Sequence, residues 1–281
     1  MIARFRTLLD FMLHGNFFIA LCAVAMVLQT NYLREFQVAG SALLIFIYAA
    51  TFFLYNIHKY ISIYLRPDLL DNQRFKQFKR FDIPLSILTY MAAMLSFDTY
   101  MTLGMDVKRV VLYYALGASF YVIPYIKGKR IRDVYFIKNI WIGGIWACMV
   151  VALPAIALGR DWWATDTVLM LEKFFFVFAL TIAFDIRDIE IDRGKNIKTI
   201  PLSMGIEKAK RVAYIALICS FLMAFILFYF QNYSLETLLK MLISLLITAF
   251  FIKKTDNMRG DDFYYFCIDG LMILQTCIVL L

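Results

Sequence analysis

The sequence predicts an all-α, polytopic membrane protein with nine transmembrane helices, and three observations carry that prediction. Hydrophobic residues make up 62% of the 281 residues and charged ones only 18%, whereas a soluble domain is nearer half apolar and a quarter charged. The apolar residues fall into runs of 17–22 residues separated by short polar loops, the length a helix needs to cross a bilayer. Finally, 23 of the 29 Lys and Arg residues lie in alternate loops and the span ends that adjoin them, the asymmetry that sets orientation. No Pro-, Gly- or Ser-rich linker interrupts the chain, so residues 1–281 read as one membrane domain.

The elements follow in order. In residues 1–15, "MIARFRTLLDFMLHG", Arg4, Arg6 and Asp10 are interleaved with apolar positions, the pattern of a helix lying in the interface. "AVA" at 23–25 offers a signal-peptide cleavage reading, but the apolar run continues past it, which favours an uncleaved anchor. Spans are expected at about 16–32, 40–60, 82–98, 108–126, 137–158, 168–186, 210–230, 235–252 and 263–281. With the Lys/Arg-rich loops inside, the N-terminus is cytoplasmic, and the chain is multi-pass in the cytoplasmic (inner) membrane.

Composition also excludes classes. The net charge of +8 could suit nucleic acid, but the basic residues sit in short loops between spans rather than in a patch. Cys22, Cys148, Cys219, Cys267 and Cys277 all fall in apolar segments, no CxxC occurs, and the chain has two histidines. Neither a zinc site nor a disulfide framework fits.

The feature that demands a chemical reason is "FDIRDIEIDRGKNIKTIPLSMG", residues 184–205, which closes the sixth span with four carboxylates. At about 100° per residue, Asp185, Asp188 and Asp192 share an arc of roughly 60°, with Glu190 pointing away. Three carboxylates on one face beside a membrane repel one another and need a cation. Mg²⁺ suits such hard oxygen ligands, bridging a few carboxylates to substrate phosphates. The alternative is a solvated helix end on which Arg187, Arg193 and Lys195 pair the acids off. An EF-hand does not fit, because its alternating oxygen ligands are missing.

The stretch resembles the second Asp-rich motif of the UbiA superfamily of intramembrane prenyltransferases, D-x-x-D-x-x-x-D. Asp185, Asp188 and Asp192 are in register, followed by Thr199, Ile200, Pro201 and Gly205. That resemblance implies nine helices around a central cavity, with Asp185, Asp188 and Asp192 holding Mg²⁺ against a prenyl diphosphate. Asp188 and Asp192 would then be catalytic, with Arg187 on the diphosphate.

The family's first motif, N-x-x-x-D-x-x-x-D, is only partly kept. Asn56 stands in place, and the resemblance implies a catalytic role for it beside Asp188 and Asp192, but Tyr60 and Tyr64 occupy the two aspartate positions, and Asp68 and Asp71 come after Arg66–Pro67. A protonated phenol is a poor Mg²⁺ ligand. Lys59 at the same helix end could neutralise phosphate in place of a metal, or snorkel to the interface. In "YVIPYIKGKR", Tyr121 and Pro124 followed by Lys127, Lys129 and Arg130 resemble the family's basic loop, which implies diphosphate contacts. Plain positive-inside bias is the other explanation.

The expected activity is transfer of an isoprenoid group from a prenyl diphosphate to an aromatic or other lipophilic acceptor, with Mg²⁺ as cofactor and membrane lipid as surroundings. Two alternatives stay open. One is an atypical enzyme using another phosphorylated lipid or a cyclisation; the other is a lipid-binding or transport protein on the same scaffold.

Overall fold

The computed structural model describes residues 2–35, 41–122, 136–194 and 198–281, and these contain helices and turns but no strand. α1 (Ile2–His14) breaks at Gly15–Asn16, and α2 (Phe17–Leu33) leaves it at 64°. The break has local causes. Asn16 sits in the left-handed region at φ 65°, which Asn tolerates better than most residues. A Cβ on Gly15 would lie 2.5 Å from the Phe11 carbonyl oxygen and 2.8 Å from Leu85 Cδ2, so only hydrogen fits there.

α3 (Ser41–Leu65) leads through a 3₁₀ turn at Pro67–Asp71 into the short α4 (Gln73–Arg80). The Arg74 backbone N–H donates to the Asn72 side chain at 2.9 Å and fixes the start of α4. α5 (Asp82–Thr102) and α6 (Met105–Val122) follow. α7 (Ile137–Ala147) continues through a π-bulge at Cys148–Ala152 into α8 (Leu153–Ala157). Pro154 lacks an N–H and its ring crowds the preceding turn, which the wider bulge absorbs.

α9 (Ala164–Arg187) and the short α10 (Ile189–Gly194) and α11 (Ile200–Met204) come next. Gly205 at φ 84°, ψ 159° then turns the chain into α12 (Ile206–Tyr229), a backbone region that is essentially glycine's alone. α13 (Leu235–Lys253), a π-turn at Phe263–Ile268 and α14 (Gly270–Leu280) complete the order.

Among the described residues six helical stretches are long and apolar enough to cross a membrane: 41–65, 137–157, 164–187, 206–229, 235–253 and 263–280. The bent α1–α2 pair makes a seventh if taken as one span. The expected span 82–98 is helical as α5, and 108–126 is helical as α6 as far as Val122, its remainder lying outside the described residues; both fall outside this set. Ser, Thr, Tyr and Asp dilute the apolar run of α5, while Asp106, Lys108 and Arg109 interrupt that of α6.

α9 is the hub. Leu169, Phe176, Leu180, Ile182, Ala183 and Ile186 are all buried, and it packs most extensively against α12 and α7. α12 meets it with small residues, Ala209, Ala213, Ala216, Ser220 and Ala224, each buried. Small side chains at this spacing let two helix backbones approach where lipid leaves no hydrophobic driving force between them. Ser220 Oγ confirms the contact by donating to the Glu172 carbonyl oxygen at 3.1 Å. α14 packs on both α13 and α2, and α2 on α3, leaving a cavity between α3, α7, α9 and the last helix.

Candidate functional site

The cavity has a volume of about 360 Å³, within the roughly 300–1,000 Å³ of small-molecule sites. Its lining is divided by chemistry. One end is polar and ionisable, with Lys59, Arg74, Lys138 and Arg187 gathered with Asp185, Asp188, Asp192 and Asp269, four basic side chains and four acidic ones. The rest is apolar and aromatic, including Leu54, Ile145, Trp146, Val177, Leu180 and Met272.

The three aspartates of the 184–205 stretch reach the cavity, but not as one face. α9 ends at Arg187, Asp188 is its C-cap at φ −90°, ψ 6°, and α10 restarts at Ile189. One continuous helix would have kept the three on a common arc, and the interruption sends the carboxylates to different partners. Asp185, fully buried, accepts from Lys138 Nζ at 2.6 Å and from Asn139 Nδ2 at 2.8 Å. Asp192 Oδ2 lies 3.8 Å from the same Lys138 Nζ. Asp188 instead faces guanidiniums, with Arg187 Nε at 2.8 Å and Arg74 NH1 at 2.9 Å from its Oδ1. Burial opposes its ionisation, but Arg187 and Arg74 outweigh that and hold the carboxyl well below the usual range.

Arg74 also reaches Asp261 Oδ1 at 2.8 Å. It thereby ties α4 to both the end of α9 and the turn before the last helix.

On α3 the cavity face is Tyr55, His58, Lys59 and Ser62, the i, i+3, i+4, i+7 pattern of one helix stripe. Asn56 is off that face. It is fully buried, donates to the Gly15 and Phe52 carbonyl oxygens at 3.0 and 2.9 Å, and accepts from Asn16 Nδ2 at 2.9 Å. It thus staples the α1–α2 break. Tyr60 turns to α5, accepting from Ser86 Oγ at 2.9 Å, and Tyr64 is 85% exposed. Lys127, Lys129 and Arg130 lie outside the described residues.

Sequence reasoning missed Arg74, Asp261, Tyr265 and Asp269. For Asp269 a signal existed, since a carboxylate inside the apolar run "YYFCIDGLMIL" is costly unless used. Arg74 and Asp261 gave none, being 187 positions apart.

Mg²⁺ commonly takes one or two protein carboxylates and completes its shell with waters and substrate phosphate. No group of three His, Cys, Asp or Glu side chains converges among the described residues. The chemistry of Asp185 and Asp192 fits one such ion, with the Lys138 ammonium between them. It does not make an all-protein cage.

Fold and site define a multi-pass helical membrane protein with a cavity charged at one end and apolar along the rest. The sequence profile of the UbiA prenyltransferase family matches residues 83–269, and the chain belongs to that family. Its fold is similar to that of a UbiA homologue from Archaeoglobus fulgidus bound to GPP and Mg²⁺, with TM-score 0.66 and 13% identity over 97% of this chain and 100% of that one. The same homologue bound to DMAPP and Mg²⁺ gives 0.65 and 13% over 97% and 99%. A digeranylgeranylglyceryl phosphate synthase gives 0.58 and 12% over 98% and 96%. None of the curated protein sequences matches the chain.

Proposed function

We propose that this protein transfers an isoprenoid group from a prenyl diphosphate to an aromatic or other lipophilic acceptor. The bundle would have nine spans, α1 lying in the interface and the charged cavity end at the cytoplasmic face of the inner membrane. One observation carries the reading: a single cavity joins the Asp185–Lys138–Asp192 group to an apolar chamber. Family membership and the ligands of the similar structures support it.

Asp185 and Asp192 would hold Mg²⁺. That ion supplies Lewis-acid stabilisation of the departing diphosphate. Lys138, released from Asp185, would donate to a phosphate oxygen. Asp188 keeps the Arg74 and Arg187 guanidiniums aligned at the cavity edge, and Lys127, Lys129 and Arg130 are proposed to add cations from their loop. Leu54, Ile145, Val177, Leu180 and Met272 exclude water and hold the hydrocarbon tail. The allylic C–O bond breaks with its electron pair leaving on the diphosphate. The acceptor then forms the new bond to that carbon and loses a proton. Trp141, Trp146 and Phe184 line the path, where aromatic faces favour developing positive charge.

The test is binding of radiolabelled geranylgeranyl diphosphate to protein in lipid nanodiscs, with and without Mg²⁺. Mg²⁺-enhanced binding that Asp185→Asn abolishes is expected. Wild-type protein that binds none with any divalent metal sinks the proposal.

A further inference from the structure

Lys59 stands apart from the other cations of the cavity. Lys138, Arg74 and Arg187 each lie within 4 Å of a carboxylate. Among the described residues Lys59 has none that close, and Asp261 and Asp269 act on it only from farther away. Its Nζ donates to the His14 carbonyl oxygen at 2.9 Å and rests 5.1 Å from the Phe78 ring centroid and 5.2 Å from that of Tyr265. One of three N–H donors is thus used on a backbone oxygen, and the ammonium is held at the cavity surface by two aromatic faces.

Tyr265 gathers a second cation, since the Arg187 guanidinium lies 5.3 Å from its ring. Arg187 in turn shares Asp188 with Arg74. Lys59, Arg74 and Arg187 therefore form one basic corner, in which Asp188 and Asp261 sit against the two guanidiniums and no carboxylate sits against the ammonium. The α3 face that lines the cavity there, Tyr55, His58, Lys59 and Ser62, offers no carboxylate. Hard metal ions need oxygen anions, and the acids of the α9–α10 end, Asp185 and Asp192, already engage Lys138.

Resting on the prenyl diphosphate reading above, we infer that Lys59, backed by Arg74 and Arg187, is a built-in cation for the substrate's diphosphate, so that the site works with one divalent ion, at Asp185 and Asp192, and none on α3. Unlike a bound metal, this charge cannot be chelated away. Part of the diphosphate affinity survives without Mg²⁺ and depends on Lys59.

The test combines metal counting with binding. Mn²⁺ is titrated into wild-type protein holding geranyl diphosphate and counted by electron paramagnetic resonance. Binding of geranyl diphosphate and of inorganic pyrophosphate is measured in Mg²⁺ and in EDTA for wild type, Lys59→Met and Lys59→Arg. One Mn²⁺ per chain is expected, with weakened but measurable wild-type binding in EDTA. Lys59→Met should bind about 10- to 100-fold more weakly in both conditions, the range set by one lost hydrogen bond to a charged group, and Lys59→Arg should recover most of it. Two Mn²⁺ per chain overturns the inference without any variant, as does Lys59→Met binding equal to wild type, and the transferase reading survives either result. Wild type that binds neither geranyl diphosphate nor pyrophosphate overturns both.

Discussion

Lys138 is where the resting structure and the proposed metal site compete, and its removal separates the two. In the structure its ammonium lies 2.6 Å from Asp185 and 3.8 Å from Asp192, and both carboxylates are buried. Lys138→Met leaves two buried acids without their cation. Breaking a buried pair by deleting one partner costs about 3–5 kcal/mol. For 281 residues, an unfolding entropy near 2.1 cal/mol/K per residue turns that into a loss of about 5–8 °C in melting temperature. The same deletion removes the positive charge that repels an incoming metal. Unit charges about 4 Å apart at an effective dielectric of 20 interact by about 4 kcal/mol, so substrate-free affinity for a divalent ion should rise. An ion present at a hundredfold its dissociation constant returns about 2.7 kcal/mol of stability. The assay is thermal unfolding of wild type and Lys138→Met in detergent across a Mn²⁺ titration, with metal binding followed in parallel. Expected is a variant that melts several degrees lower without metal and recovers more than half of the deficit with it, while wild type barely responds. If both melt alike without metal, or if Mn²⁺ stabilises both equally, Lys138 does not stand in for the ion and the argument fails.

Two further outcomes follow from the geometry. Because its guanidinium partners depress the folded-state pKa of Asp188, its contribution to stability is complete above the unfolded value near 3.9 and fades as pH falls through the folded one. The stability gap between wild type and Asp188→Asn should therefore be constant above about pH 5 and narrow below about pH 4; a gap that widens in acid contradicts the assignment. Elsewhere in α9, buried Lys173 Nζ bonds Glu172 Oε1 at 3.2 Å and Gln29 Oε1 at 2.9 Å, while Tyr233 OH donates to Glu172 Oε2 at 2.8 Å. Lys173→Met alone should cost about 3–5 kcal/mol, and adding Glu172→Gln should restore most of it; a double variant as unstable as the single one shows packing rather than charge at work.

What could be read from the sequence, and what could not, divides along the range of the interactions. Helices at 41–65, 164–187, 206–229 and 235–253 were legible because a run of about 20 apolar residues is a local property. The acidic stretch closing α9 was legible for the same reason. Where its side chains go was not, because that depends on a helix interruption at Asp188 and on partners from other elements, Lys138 from α7 and Arg74 from α4.

The α3 end shows the same limit more sharply. Positions 56, 60 and 64 share one helix stripe, so a motif spaced by four residues draws the eye to Asn56, Tyr60 and Tyr64. The stripe that meets the cavity is the neighbouring one, and its residue Lys59 carries charge of the opposite sign from the acids a metal would need. Which stripe faces inward is settled by α5 holding Tyr60 through Ser86 and by the Gly15–Asn16 break holding Asn56. Two tyrosines that look like lost metal ligands are therefore parts of a changed helix face. The α3 face thus brings an ammonium, and no carboxylate, to a cavity whose acids come from α9, α10 and the last helix.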